Sequence, residues 1–145
     1  MKKKKVLVIE SENDLLAFCS MVRITRDAGY EVLGIIVGNK HSPDAGIVCT
    51  ADQAKIIESV RSFEPDVVLL EHDLGLGPHL TGRYFVRQLG LRPEVLVGTS
   101  IYDQGYCGRE MHDKNRLERH PLFAEKFLAI LADLTAKEKA VEPVY

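Results

Sequence analysis

The stretch FEPDVVLLEHDLG, residues 63–75, decides how the rest of the chain is interpreted. Four consecutive apolar residues, Val67–Leu70, run directly into Glu71, His72 and Asp73. A short, wholly apolar run of this kind is typical of a strand buried on both faces, as in a parallel sheet. Titratable side chains that follow such a strand lie at its carboxyl end, where open α/β sheets form their sites.

Comparable segments alternate with helical patterns along the chain. The strand-like runs are Val6–Ile9, Val32–Val37, Val67–Leu70 and Val95–Val97. Between and after them, apolar residues recur at helical spacing, and Pro121 can occupy the first turn of a last helix. This alternation predicts right-handed crossovers and a doubly wound parallel sheet with helices on both faces, a three-layer α/β/α fold.

The expected boundaries are one domain over residues 1–134 and a polar C-terminal tail over residues 135–145. Alternation also requires a fifth strand within residues 102–120. That segment contains HDKNRLERH, which is not apolar. Its fifth strand is therefore uncertain, and both a poor edge strand and a helical insertion stay open.

The composition is that of an ordinary globular domain. The 145 residues suit one core, with 46% hydrophobic and 28% charged residues and a formal net charge of -2. This balance gives no general attraction for nucleic acid, and no apolar run approaches the about 20 residues of a membrane span. The apolar run after Lys2–Lys5 is too short for a signal peptide, and three scattered cysteines fit reduced, mostly buried thiols. We therefore expect a cytoplasmic protein.

Side chains suited to a hard cation or a phosphoryl group follow several predicted strands. Glu10 and Ser11 follow the first strand, Glu71 follows the third, and Thr99 and Ser100 follow the fourth. Because the carboxyl ends of parallel strands share one edge of the sheet, we expect these side chains on one rim. Carboxylates with a hydroxyl opposite suit Mg²⁺ or a phosphoryl group.

Four segments resemble the receiver domains of bacterial response regulators. They occur in consistent order over residues 4–134: KKVLVIESENDLL, FEPDVVLLEHDLG, VLVGTS and RHPLFAEKFLAIL. The first is similar to the end of the family's first strand, which carries acidic residues, and the second to the strand that ends in the phosphoacceptor aspartate. The third is similar to the strand that ends in a threonine or serine, and the fourth to the lysine-proline step into the last helix. The resemblance implies a flavodoxin- or CheY-like sheet and a role in two-component or phosphorelay signal transduction.

The chain departs from the receiver pattern where the chemistry lies. By the resemblance, Glu71 replaces the phosphoacceptor aspartate, Ser11 the second acidic residue, His120 the lysine and Leu117 the aromatic switch residue. Ser11 removes a metal ligand, and the extra methylene of Glu71 moves its carboxylate by about 1 Å, a misplacement that can cost about 100-fold in rate. His120 supplies only a pH-dependent charge. We expect phosphoacceptor chemistry to be weak or absent, with at most a weak Mg²⁺ site at Glu10 and Glu71 and no other cofactor.

Ordinary structural roles also fit some of these residues. Ser11 and Asp14 have the spacing of a helix start, so the Ser11 hydroxyl can serve as a cap. Glu10 can serve the site or simply favour the positive end of the helix that follows.

We expect a stand-alone, atypical receiver-like module, a pseudo-receiver, that is no enzyme and binds a protein partner, either a kinase or an output protein. The last helix and residues 102–120 are the expected contact surfaces, and a homodimer through them stays open. One alternative is a functional phosphoacceptor, on Asp73 or Glu71, fed by a histidine kinase. Another is a small-ligand or metal-binding α/β enzyme or sensor that uses the same rim.

Overall fold

The computed structural model describes residues 2–40 and 46–136, and in these segments four α-helices flank a six-stranded parallel sheet. The strands are β1 (Lys5–Ser11), β2 (Glu31–Val37), β3 (Ile47–Thr50), β4 (Val67–Leu70), β5 (Leu96–Gly98) and β6 (Arg109–Glu110). The helices are α1 (Leu15–Asp27), α2 (Gln53–Phe63), α3 (Gly82–Leu89) and α4 (Pro121–Ala136). The strand order is β3-β2-β1-β4-β5-β6, and every pairing is parallel. The fold is the predicted doubly wound, flavodoxin- or CheY-like α/β/α sandwich.

The two faces of the sheet bury separate cores, and the central strand β1 shows why. Its residues Val6 and Val8 pack in the core that contains Phe18 of α1 and Phe127 of α4. The alternate residues of β1 pack in the second core, which contains side chains of α2 and α3, including Phe85. Because successive side chains of a strand point to opposite faces, a strand covered on both sides must be apolar throughout. The Val6–Ile9 run satisfies that requirement, since all four residues are fully buried.

The strand order reverses direction between β1 and β4. The chain first builds outward from β1 through β2 to β3 and then returns to the other side of β1 with β4. The carboxyl ends of β1 and β4 are neighbours, because Val6–Ile9 pairs with Val67–Leu70 and the Glu71 amide donates to Ile9 O at 3.0 Å. In open α/β sheets, sites form in the crevice at such a reversal.

The edge strand β3 was not predicted. Ile47–Thr50 pairs with β2 from Gly34 to Val37, although it was not among the strand-like runs of the sequence. The next helix, α2, is capped by the Asp52 side chain, which accepts from the Ala54 amide at 3.0 Å. Residues 41–45, which precede β3, lie outside the described residues.

The segment over residues 102–120 contains a strand, although a very short one. β6 is two residues long and pairs with Val97 and Gly98 of β5 at the edge of the sheet. A 3₁₀ turn, Lys114–Arg116, follows it. The described chain has no α-helix between β5 and β6. α4 runs to Ala136, two residues past the expected domain boundary, and the rest of the expected tail, residues 137–145, lies outside the described residues.

Two further expectations concern the burial of the cysteines and the absence of membrane-spanning segments. The cysteines were expected to be mostly buried, but Cys19 is exposed on α1, and Cys49 and Cys107 are half-buried. Across residues 2–40 and 46–136, each helix is too short or too polar to cross a bilayer.

Candidate functional site

A buried group of ionisable side chains lies at the carboxyl ends of β1 and β4. Lys114 Nζ lies 2.9 Å from Glu10 Oε2 and 3.2 Å from Asp14 Oδ2, and it also donates to Glu71 Oε2. The side chains of Lys114 and Glu10 are 2% and 0% exposed. These four residues, Glu10, Asp14, Glu71 and Lys114, are called the lysine–carboxylate cluster below.

Each member of the cluster comes from a different part of the fold. Glu10 is the penultimate residue of β1, and Glu71 directly follows β4. Asp14 ends the 3₁₀ turn that leads into α1, and Lys114 begins the 3₁₀ turn after β6. The cluster therefore joins elements from both ends of the described sequence.

Two hydroxyl groups that follow β5 complete the hydrogen bonding of the buried acids. Thr99 Oγ1 donates to Glu10 Oε1 at 2.6 Å, and Ser100 Oγ donates to Glu71 Oε1 at 2.8 Å. Together with Lys114, these donors give each oxygen of both carboxylates a partner. Such complete pairing is expected of acids at this depth, because an unpaired buried charge is costly.

The charges of the cluster do not balance. One ammonium faces three carboxyl groups, so the cluster has excess negative charge when all of them are ionised. Burial raises the pKa of Glu10 to about 8, although Lys114 and the hydrogen bond from Thr99 oppose the rise. Burial alone would lower the pKa of Lys114, but the negative charge of Glu10 and the bond to Glu71 outweigh it and raise that pKa. Lys114 is therefore an ammonium throughout the neutral range, and Glu10 is the group that takes up a proton there.

A second layer of hydrogen bonds leads away from Glu71. Ser100 Oγ also lies 2.9 Å from Gln104 Oε1, and Gln104 Nε2 donates to Tyr106 Oη at 2.8 Å. Tyr106 Oη lies 3.0 Å from His72 Nδ1. Burial raises the pKa of Tyr106, against the opposing bond to Gln104, so the phenol stays neutral. This chain of contacts connects the cluster to the residue that follows Glu71 on the backbone.

The cluster opens to solvent through a small cavity. The cavity has a volume of about 230 Å³, and its walls are acidic and apolar: Asp14, Glu71, Asp73, Ile101, Tyr102, Lys114 and Asn115. Asp73 is exposed there, and its Oδ1 accepts from the Gly75 amide at 3.1 Å, which fixes a turn. Ile101 and Tyr102 are 73% and 50% exposed. The mouth therefore combines negative charge with accessible apolar surface.

The structure brings together some of the rim residues selected from the sequence. Glu10, Glu71 and Thr99 converge as described above. The Ser11 hydroxyl does not join them, because it accepts from the Asn13 amide at 3.2 Å at the start of the 3₁₀ turn. Ser11 thus has the geometry of the helix-start alternative.

His120 does not lie on the rim, where the sequence-based interpretation expected it. His120 is exposed and its ring packs on Phe123 at the start of α4, with 5.5 Å between ring centroids. The cation beside the two glutamates is Lys114 instead. The side chain expected at the aromatic switch position, Leu117, is buried in the core with α1 and α4. The aromatic residue linked to the cluster is Tyr106.

The sequence-based interpretation missed Lys114, and it treated Asp14 only as part of a helix start. Lys114 lies within HDKNRLERH, whose other charged residues are mostly exposed, so nothing local distinguishes it. The usable signal was indirect: two acids at the ends of fully buried strands require a buried cation.

The cluster contains the donor set of a divalent cation site. One oxygen each from Glu10, Asp14 and Glu71 lie within 4.8 Å of one another, and carboxylate oxygens are the ligands that Mg²⁺ prefers. Lys114 Nζ contacts all three groups. A cation would therefore have to share these oxygens with the ammonium or displace it.

Comparison with known proteins gives a structural likeness alone. No protein-family model matches the chain, and no curated protein matches it. Among solved structures, the chain is similar to a signal receiver domain from Vibrio parahaemolyticus, named as that of a Luxo repressor protein. The TM-score is 0.51 and the sequence identity is 12%, and the match covers 94% of this chain and 100% of that one. The fold is receiver-like. The glycosyltransferase SsfS6 of Streptomyces sp. SF2575, complexed with thymidine diphosphate, has a TM-score of 0.46 and 17% identity over 92% of this chain and 45% of its own.

Proposed function

We propose that the chain is an atypical receiver-like signalling module that acts mainly by binding a protein partner, with weak or absent phosphoacceptor chemistry. The observation that carries this proposal is the complete hydrogen bonding of the buried acids in the lysine–carboxylate cluster. Glu71, at the position of the receiver phosphoacceptor, is only 6% exposed, and its two oxygens are bonded to Ser100 and Lys114. A carboxylate in this state is poorly available either to attack a phosphoryl donor or to bind Mg²⁺.

The exposed apolar side chains support protein binding. Four large hydrophobic residues are exposed in the described chain: Leu16, Ile101, Tyr102 and Leu122. Leu16 lines a groove beside Lys114 and Asn115, and Ile101 and Tyr102 line the cavity that contains the same two residues. Accessible apolar side chains grouped around a polar mouth are typical of protein contact surfaces, and tyrosine is enriched at their energetic centres. The partner proposed for this surface is a kinase or an output protein of a two-component or phosphorelay pathway.

The contact surface can be tested with a photo-crosslinking amino acid placed at single positions. We expect the group at Tyr102 to capture a discrete protein in cells that naturally make this chain. The matched control is Lys55, an exposed residue of α2. This helix covers the face of the sheet opposite to α1 and α4. Equal capture from both positions, or capture from neither, would count against the proposed surface.

A second candidate function, a working phosphoacceptor, is favoured by one observation. The sequence suggested that the lysine and one acidic residue had been lost, but Lys114 supplies an ammonium and Asp14 a third carboxylate. Asp73 is the accessible carboxylate of the cavity.

Intact mass spectrometry after incubation with acetyl phosphate and Mg²⁺ distinguishes the two functions. Our first proposal predicts no added phosphoryl group. An adduct that disappears in Asp73→Asn or in Glu71→Gln would establish the second function and name its acceptor.

A further inference from the structure

A second group of metal-ligating side chains lies outside the lysine–carboxylate cluster. Asp103, Glu110 and His112 each place one ligand atom within 4.8 Å of the others. Asp103 lies in the loop after β5, Glu110 ends β6, and His112 follows two residues later. His112 Nε2 and Asp103 Oδ1 are 2.8 Å apart.

Glu110, the third residue of the group, has one carboxylate oxygen without a hydrogen-bond partner in the described part of the chain. Glu110 Oε1 accepts from the Gln104 amide at 2.7 Å, but Glu110 Oε2 is buried and has no hydrogen-bond partner among the described residues. A buried carboxylate oxygen without a partner is unfavourable, and such an atom calls for an explanation such as an unseen ion. Gly98, opposite Glu110 in the β5–β6 pairing, leaves room for this carboxylate, because a Cβ there would overlap Oε2.

We propose that Asp103, Glu110 and His112 form a binding site for a divalent transition metal such as Zn²⁺. One imidazole and two carboxylates are a ligand set that suits zinc, whereas Mg²⁺ prefers oxygen ligands alone. Zinc bonds of about 2.1 Å in a tetrahedral site place neighbouring ligand atoms about 3.4 Å apart. His112 Nε2 and Asp103 Oδ1 are 2.8 Å apart, so a small outward rotation of these exposed side chains admits the metal. The metal takes the position of the proton between His112 Nε2 and Asp103. A neutral imidazole then carries its single N–H on Nδ1, and an imidazolium releases one proton to solvent.

The position of the three residues allows a metal to enter. The side chains of His112 and Asp103 are 43% and 76% exposed, so solvent reaches the site directly. Glu110 and His112 are separated by one residue, so one short segment of chain supplies two of the three ligands. A fourth coordination position is left for water, as in zinc sites with three protein ligands.

Isothermal titration of the full chain with ZnCl₂ tests the site. We expect one Zn²⁺ per chain and an affinity that falls at least about tenfold in both His112→Gln and Asp103→Asn, because loss of a direct ligand costs at least as much as loss of its supporting residues. Both residues are exposed, so neither substitution should prevent folding, which circular dichroism can verify. His79→Gln is the matched control, an exposed histidine outside the group, and should leave the affinity unchanged.

Three outcomes would overturn the assignment. The first is the absence of saturable zinc binding to the folded chain. The second is an affinity that does not change in His112→Gln and Asp103→Asn, or falls equally in His79→Gln. The third is binding that survives His112→Gln but disappears in Cys107→Ser, which would assign the metal to a thiol.

Discussion

Lys114 Nζ lies 2.9 Å from Glu10 Oε2, although the two residues are 104 positions apart in the chain. The ion pair therefore fastens the turn after the last strand to the end of the first strand. Both side chains had to leave water, and the attraction between such groups often only offsets that cost. The two partners are not equivalent: removal of Lys114 leaves Glu10 and Glu71 buried without a cation, whereas removal of Glu10 leaves Lys114 paired with Asp14 and Glu71.

Replacing Lys114 with methionine should strongly destabilise the protein. Lys114→Met removes the ammonium and leaves Glu10 and Glu71 buried without a cation, which typically costs about 3–5 kcal/mol of unfolding free energy. Urea denaturation at neutral pH measures this loss. The control is Lys55→Met at an exposed position of α2, where a change within about 0.5 kcal/mol is expected. A loss below about 1 kcal/mol for Lys114→Met would show that the cluster relaxes or takes in water.

The raised pKa of Glu10 predicts that stability decreases with pH in the neutral range. Its carboxyl has an ordinary pKa of 4.5 and a folded-state pKa of about 8. Between these values the folded state binds the proton more tightly than the unfolded state. The free energy of unfolding should therefore fall as pH rises through this window, by at most about 1.4 kcal/mol per pH unit, and level off above it. The raised pKa of Lys114 acts only at more alkaline pH, because the ordinary value is already 10.5.

Glu10→Gln isolates this contribution from those of other titrating groups. Glutamine keeps the size of the side chain but cannot ionise. Urea midpoints measured from pH 5 to pH 9 should therefore fall less steeply for the variant than for the parent chain. Parallel curves for the two proteins would contradict the assignment of the slope to Glu10.

The hydroxyl of Thr99 should matter more than its methyl group. Thr99 is fully buried, and its Oγ1 donates to Glu10 Oε1. Thr99→Val keeps the shape but removes the donor, which should cost about 1–3 kcal/mol because the buried Glu10 Oε1 is left without a hydrogen-bond partner. Thr99→Ser keeps the donor and should lose only the packing of one methyl, about 1 kcal/mol. Chemical denaturation of both variants ranks the two effects, and a valine variant at least as stable as the serine variant would refute the ranking.

The convergence of Glu10, Glu71 and Thr99 could be predicted because it depends on strand direction alone. Apolar runs such as Val67–Leu70 identify parallel strands, and parallel strands bring their carboxyl ends to one edge. The apolar runs therefore located the two acids at one edge of the sheet without any knowledge of the contacts between them.

The parts that were missed depend on tertiary contacts that leave no periodic signal. β3 is four residues long and follows Gly46 directly, so it resembled the end of a loop. β6 is held by pairing with β5 rather than by its own residues, Arg109 and Glu110, which are not typical of strands. Lys114 could not be separated from its exposed neighbours, because burial of a lysine is decided by the acids it meets.

Removing the built-in cation should create a site for an external one. In the parent chain, Lys114 Nζ contacts Glu10, Asp14 and Glu71, and its positive charge opposes the approach of Mg²⁺. In Lys114→Met the three carboxylates keep oxygens within 4.8 Å of one another and have no counter-charge. Millimolar MgCl₂ should then raise the melting temperature of the variant by several degrees, because a ligand that binds only the folded state stabilises it.

The controls for this magnesium experiment separate binding from ionic strength. NaCl at equal ionic strength should not reproduce the shift, and Lys114→Met combined with Glu10→Gln should reduce it by removing one ligand charge. The parent chain should respond much less than Lys114→Met. A parent chain that Mg²⁺ stabilises as strongly as the variant would mean that the cation binds with Lys114 in place. That result would favour the phosphoacceptor function over a module that acts through protein contacts alone, since Mg²⁺ would then be bound beside Glu71, where it could also bind a phosphoryl group.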